Sequence, residues 1–154
     1  MNVKEKVIII TGASGGLGAE IARVLSEHKA VVYLLDIAEE QGKALESELQ
    51  QKGHKAYFIQ MDITTEESWQ KTTKDIYQKE GRIDVLVNNA GINIRKPLEE
   101  MVIEEWNTMM LVNTGSVFLA CKYVIPFMRQ QKGGAIINTS SVCGLVGHKY
   151  TPEA

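Results

Sequence analysis

The sequence has little of what marks several large classes of protein. It holds two cysteines, Cys121 and Cys143, far apart and outside any Cys-x-x-Cys pair. The three histidines, His28, His54 and His148, do not cluster near them. That argues against a disulfide framework and a zinc site, and fits reduced thiols in a cytoplasmic protein. Lysine and arginine number 17 against 19 aspartates and glutamates, with a net charge of -2 and no basic block. A surface for polyanions, and with it a nucleic-acid partner, is not expected. No long apolar run opens the chain, because MNVKEKVIII gives way at Thr11 and Gly12 to a polar turn. Such a run is too short for a signal-peptide core or a membrane span, so the reading is a soluble protein with no membrane partner.

What is present is a regular alternation. Hydrophobic residues make up 44% of the 154, enough for one packed core. Short apolar runs at residues 6–10, 31–35, 56–60, 84–87 and 135–138 read as strands. Helical patterns fill residues 17–28, 38–51, 64–79 and 103–130. The first is expected to turn Leu17, Ile21, Val24 and Leu25 to the core. The second closes at Gly53 and the third at Gly81, each placed as a helix terminator. The fourth should face Trp106, Met109, Met110, Val117, Ala120, Cys121 and Val124 inward, with a kink or break at Pro126. Strands alternating with helices require right-handed crossovers and a parallel sheet covered on both faces. The fold class is therefore α/β, a doubly wound parallel sheet in three layers. Residues 1–154 read as a single domain without an internal linker.

The first strand runs into Thr11-Gly12-Ala13-Ser14-Gly15-Gly16-Leu17-Gly18. Glycines at such a join allow a tight turn, close approach of a pyrophosphate and tight helix–sheet packing. The helix that follows offers free N–H groups and the positive end of its dipole. Asp36 ends the second strand, where a carboxylate can accept hydrogen bonds from a ribose diol and repel a 2′-phosphate. Ile37 follows it and Gly15 sits in the turn, so no cation is at hand for an extra phosphate. This favours NAD over NADP; the bland reading of Asp36 is a carboxylate in a strand-end turn.

The Gly-x-x-x-Gly-x-Gly spacing resembles that of the short-chain dehydrogenase/reductase family. Asp62 after the third strand, Asn88-Asn89-Ala90-Gly91 after the fourth, and Asn113 in Leu111-Val112-Asn113 resemble further motifs of that family in the same order. Ser141, in Ser140-Ser141-Val142, resembles its active-site serine. The resemblance covers essentially the whole chain. It implies a cofactor-binding set of Gly12, Ser14, Gly16, Leu17, Gly18, Asp36, Asp62, Ile63, Asn89, Ala90 and Gly91, and catalytic roles for Asn113 and Ser141. It further implies hydride transfer between a nicotinamide and a secondary alcohol or ketone, in a homo-oligomer. Each residue also has a structural reading. Asp62 can open a helix-entry turn, Asn88 and Asn89 can make an ordinary turn, Asn113 can bond backbone, and the serines can cap a loop.

One expected part is missing. The resemblance calls for a tyrosine with a lysine four residues later, whose positive charge would favour the phenolate. No Tyr-x-x-x-Lys occurs in the sequence. Tyr150 is nine residues past Ser141 and has Ala154 at the fourth position after it, so it reads as a loop residue. The expectation is that 154 residues form the first part of a longer reductase, lacking its last strands and helices. Such a piece alone would be inactive, with an open sheet edge that makes it poorly stable or prone to associate. A dinucleotide-binding fragment without catalysis is the alternative. Arg95 and Lys96 could meet an anionic substrate such as a sugar acid or a 3-oxoacyl thioester, but two solvated loop charges is the preferred reading.

Overall fold

The computed structural model describes residues 3–141. Tyr150, Cys143, His148 and Lys149 lie outside the described residues. Five strands form one sheet: β1 (Val7–Thr11), β2 (Val31–Asp36), β3 (Lys55–Gln60), β4 (Val85–Asn88) and β5 (Ala135–Asn138). Their order is β3-β2-β1-β4-β5, and every pairing is parallel. The helices are α1 (Gly16–Glu27), α2 (Glu39–Gln51), α3 (Glu66–Glu80), α4 (Ile103–Met110) and α5 (Ser116–Gln130). A π-helical segment at Leu111–Gly115 joins α4 to α5, so the chain is helical from residue 103 to residue 130.

Both faces of the central strands β1, β2 and β4 are almost wholly buried, which is why they read as unbroken apolar runs, whereas the edge strand β5 is largely exposed. Alternate residues of β1 point to opposite faces. Val7 and Ile9 join Tyr33 and Leu35 of β2 in a core with Trp69, Ile76, Ala120, Val124 and Met128 of α3 and α5. Ile8 and Ile10 join Val32 and Leu34 in a second core with Ala19, Ala22, Leu25, Leu45 and Leu49 of α1 and α2.

Two helix faces differ from expectation. In α1 the buried residues are Gly18, Ala19, Ala22, Leu25 and Ser26, while Leu17 and Val24 are exposed. Small residues let this helix lie close on the sheet, and closeness rather than side-chain size selects the face. In the long helix, Met109, Ser116, Ala120, Val124 and Met128 are buried, mostly at steps of four. This is one narrow ridge. Trp106 and Met110 are exposed, and Val117 and Cys121 are half-buried on its border. The chain also stays helical through Pro126. The departure from α geometry comes earlier, at residues 111–115. By length and composition the 28-residue helix could cross a bilayer. Its ridge is instead packed in the α3 side of the sheet core, and Lys122 ion-pairs with Glu66 of α3.

The winding creates a crevice. From β1 the chain moves outward to β2 and β3, then returns to place β4 on the other side of β1. Loops leaving β1 and β4 therefore part in opposite directions at the carboxyl edge, the place where open parallel sheets bind ligands.

Candidate functional site

The glycine turn is shaped by what presses on it. Gly12 has φ +63° and Gly16 φ +51°, left-handed values that favour glycine. A Cβ on Gly12 would come within 2.8 Å of the Ala90 Cα. One on Gly18 would run into the Gly12 carbonyl oxygen and lie 2.7 Å from the Asn89 amide nitrogen. These two glycines let the first loop touch both α1 and the end of β4. Gly15 and Gly16 face open space instead.

α1 begins without a side-chain cap and without an acidic residue in its first turn. By contrast, α3 starts with Glu66 and Glu67. The exposed N–H groups and positive dipole end of α1 are thus left for an external anion.

Thr11, Asn88 and Asn89 hold the crevice in register. The Thr11 hydroxyl accepts hydrogen bonds from the Asn89 and Ala90 N–H groups at 3.0 and 3.1 Å. The Asn89 side-chain amide donates to the carbonyls of Thr11 and Gly12, both at 3.2 Å. Asn88 turns the other way and donates to Asn138 Oδ1 across the β4–β5 pair at 2.9 Å. One asparagine therefore ties β4 to β5, and the next ties it to the glycine turn.

Asp36 accepts a hydrogen bond from the Ser14 N–H at 2.9 Å on one carboxylate oxygen and from the Ala38 N–H at 3.1 Å on the other. Its carboxylate is fixed while each oxygen keeps further acceptor capacity. Asp62 Oδ1 accepts from the N–H and hydroxyl of Thr64, at 2.8 and 2.7 Å. This is the helix-entry turn of the structural reading. Asn113 lies in the π segment and forms a reciprocal pair with Ile92. Its amide donates to the Ile92 carbonyl at 2.9 Å and accepts from the Ile92 N–H at 2.8 Å. The long helix thereby grips the loop that follows Gly91.

A crevice of about 590 Å³ runs past these groups. Of the expected cofactor residues, Gly12, Leu17, Asp36, Asp62, Ile63, Asn89, Ala90 and Gly91 line it. Ser14, Gly16 and Gly18 support the turn without lining it, and Asn113 acts through Ile92, which does line it. Thr139, just past β5, also lines it, whereas Ser141, two residues on, is exposed. No lysine or arginine is among the lining residues described. Thr11 and Thr139 escaped the sequence reading, although both sit at strand ends on the carboxyl edge, which was the available signal.

One other candidate loses weight. Lys96 donates to both oxygens of Glu105 at 2.7 Å, and this cation together with the Val102 N–H holds the Glu105 carboxyl below its ordinary range. Lys96 is thus neither a solvated charge nor free to meet an anion. Burial pushes the Cys121 thiol up, against a smaller opposing effect of Asn88, so it is not poised as a nucleophile.

The family model for short chain dehydrogenase matches residues 6–152. Cyclopentanol dehydrogenase of Comamonas testosteroni is 40% identical over 145 residues, covering 94% of this chain and 58% of that protein. Trans-4-hydroxycyclohexanecarboxylate dehydrogenase of Sinomonas cyclohexanicum is 39% identical over 153 residues, covering 96% and 59%. The crystal structure of an NAD+-bound xylitol dehydrogenase superposes with a TM-score of 0.93 at 30% identity, covering 98% of this chain and 58% of that one. The chain thus spans less than two thirds of the length of these relatives. With its ordered motifs meeting at one crevice of a doubly wound sheet, the chain belongs to the short-chain dehydrogenase family.

Proposed function

We propose that the chain is the dinucleotide-binding part of an NAD-dependent oxidoreductase acting on a secondary alcohol or ketone. The observation that carries this is the crevice itself. It joins an uncapped helix start to a ribose-competent carboxylate and then to the small-residue edge at Asn89-Ala90-Gly91. The residues present fit the cofactor. The Gly12–Gly18 turn and the first turn of α1 would take the diphosphate, Asp36 the adenosine ribose, and Asp62 with Ile63 the adenine. Asn89, Ala90 and Gly91 would lie against the remainder. The lack of a lining cation beside Asp36 supports NAD over NADP. When bound, the dinucleotide supplies or accepts a hydride.

The chain's own residues would do the rest. Ser141 would hydrogen-bond the substrate oxygen at the carboxyl edge. Asn113 would position the Ile92 backbone beside it. Lys96 is paired with Glu105, so that lysine brings no free charge to this rim. Relatives named for cyclopentanol and for a hydroxycyclohexane acid point to alicyclic alcohols as the first substrates to try.

Calorimetric titration is the test. NADH should bind, NADPH should bind more weakly, and Asp36→Ala should weaken NADH by about tenfold through the lost hydrogen bonds. No heat with NADH would overturn the reading. The alternative is a dinucleotide-binding fragment without catalysis. It predicts the same NADH heat but no turnover from the gene product at any length, whereas the enzyme reading predicts turnover from a product that carries the tyrosine and lysine.

A further inference from the structure

β3 stands at one edge of the sheet, and an edge strand presents main-chain donors and acceptors that another strand can take. Which groups of β3 point outward follows from its inner pairing. Met61 N–H, just past the strand, donates to the Asp36 carbonyl of β2 at 2.9 Å, so the odd-numbered residues face β2. Ala56, Phe58 and Gln60 therefore turn their N–H and carbonyl groups to the open side.

Part of that outward row is already taken, from one flank of α2. Glu46 Oε1 accepts a hydrogen bond from the Phe58 N–H at 2.9 Å. The Gln50 side-chain amide donates to the Ala56 carbonyl at 2.7 Å. Gly42, Glu46 and Gln50 follow one another at single helical turns along α2. A Cβ on Gly42 would run into the Phe58 ring, so helix and strand touch there directly. Leu45 and Leu49, on the neighbouring row, are buried in the core with Val32 and Leu34. α2 thus packs on the face of the sheet with one row and reaches round its edge with the next.

The placing of these bonds matters. Along the outward row the Ala56 carbonyl is followed by the Phe58 N–H, and an incoming strand must engage neighbouring groups in succession. An acceptor and a donor from α2 at adjacent places interrupt that succession. The bond to Glu46 is also charge-assisted, hence strong. Glu46 is half-buried against the strand, so a strand that displaced it would leave its carboxylate without this donor.

The strand's own sequence says what this edge would pair with. Lys55-Ala56-Tyr57-Phe58-Ile59-Gln60 has no proline, no glycine and a single charge, with Tyr57, Phe58 and Ile59 at its centre. This is the composition of short segments that pair with copies of themselves. We propose that the edge of β3 is a pairing surface for β3 of a second copy, and that Glu46 and Gln50 hold it shut. The inference is independent of the cofactor crevice and of the reaction proposed there.

The test is amide NMR on the chain, alone and with a synthetic peptide of residues 55–60. In the unaltered protein, the Phe58 N–H should be protected from hydrogen exchange at least about tenfold more than the Gln60 N–H. The latter also faces outward and has no partner among the described residues. The peptide should cause no saturable shifts. In the Glu46→Ala/Gln50→Ala protein the extra protection of Phe58 should vanish, and the peptide should give saturable shifts at Ala56, Phe58 and Gln60. Glu46→Gln alone keeps an acceptor at the edge and should again exclude the peptide. Glu46 is half-buried and Gln50 exposed, so the double variant should keep the parent's circular dichroism. Equal protection of Phe58 and Gln60 in the parent, saturable peptide shifts in the parent, or an edge that stays inert in the folded double variant would each overturn the proposal.

Discussion

Thr11 closes the crevice with a single hydroxyl, which accepts two backbone N–H groups from the end of β4. Valine has almost the same shape but cannot accept either bond. Thr11→Val should therefore destabilise the chain by about 1–3 kcal/mol in urea titrations, the cost of leaving buried donors unpaired. Gly18→Ala should cost a similar 1–3 kcal/mol by overpacking and should also abolish the NADH heat. The added methyl collides with the Gly12 carbonyl and the Asn89 amide, so the turn must shift. An unchanged midpoint in either variant would show that the turn relaxes freely. Gly18 was legible in the sequence because its spacing from Gly12 and Gly16 signals a phosphate turn. Thr11 was not, because nothing in a threonine at a strand end says which distant N–H groups will meet it. The reciprocal bonds between Asn113 and Ile92 were hidden for the same reason. A polar residue on an apolar helical face announces a partner without naming it.

At the scale of elements, strand and helix positions followed closely from the apolar pattern, and residues 135–138 of β5 matched fully. Helix faces did not follow as well. A stripe of large apolar residues predicts the buried side only where the partner surface is far enough away to need them. α1 approaches through Gly18, Ala19 and Ala22, so Leu17 and Val24 are turned out. The joints between elements carry their own chemistry. Asp84, just before β4, accepts hydrogen bonds from Lys6 at 3.0 Å, from the Val7 N–H at 3.0 Å and from Arg82 Nε at 2.6 Å. Burial pushes its pKa up, but Arg82, the Val7 N–H and Lys6 outweigh that, and the carboxyl sits below its ordinary value. A depressed carboxyl stabilises the fold above its unfolded pKa of about 3.9, and the contribution fades as pH falls through the folded value. Asp84→Asn should thus lower stability at pH 7 by about 1–3 kcal/mol, since hydrogen bonds to a charged group are lost. The gap to the parent should narrow below about pH 4 as the parent's own carboxyl protonates. A gap independent of pH would show that charge is not what Asp84 contributes.

At the scale of the whole molecule, alternating runs imply a parallel sheet but leave the order of its strands unspecified. Register and neighbour choice come from how helices pack across the faces, which no local pattern records. The result leaves β3 and β5 at the edges, and Ile137 of β5 is exposed. Ile103, Trp106, Met110, Leu111, Phe118 and Ile125 are likewise exposed along the long helix, with Phe118 at 63%. Apolar surface of this extent on one helix favours association in water. Sedimentation velocity should give a mass above that of one chain that rises with concentration. Leu111→Lys combined with Phe118→Lys should return it toward a single chain, because each lysine would place an ammonium group in the buried contact. These side chains lie outside the sheet core, so the double variant should keep the parent's circular dichroism. A parent that sediments as one chain at every concentration would mean that this helix face tolerates water on its own.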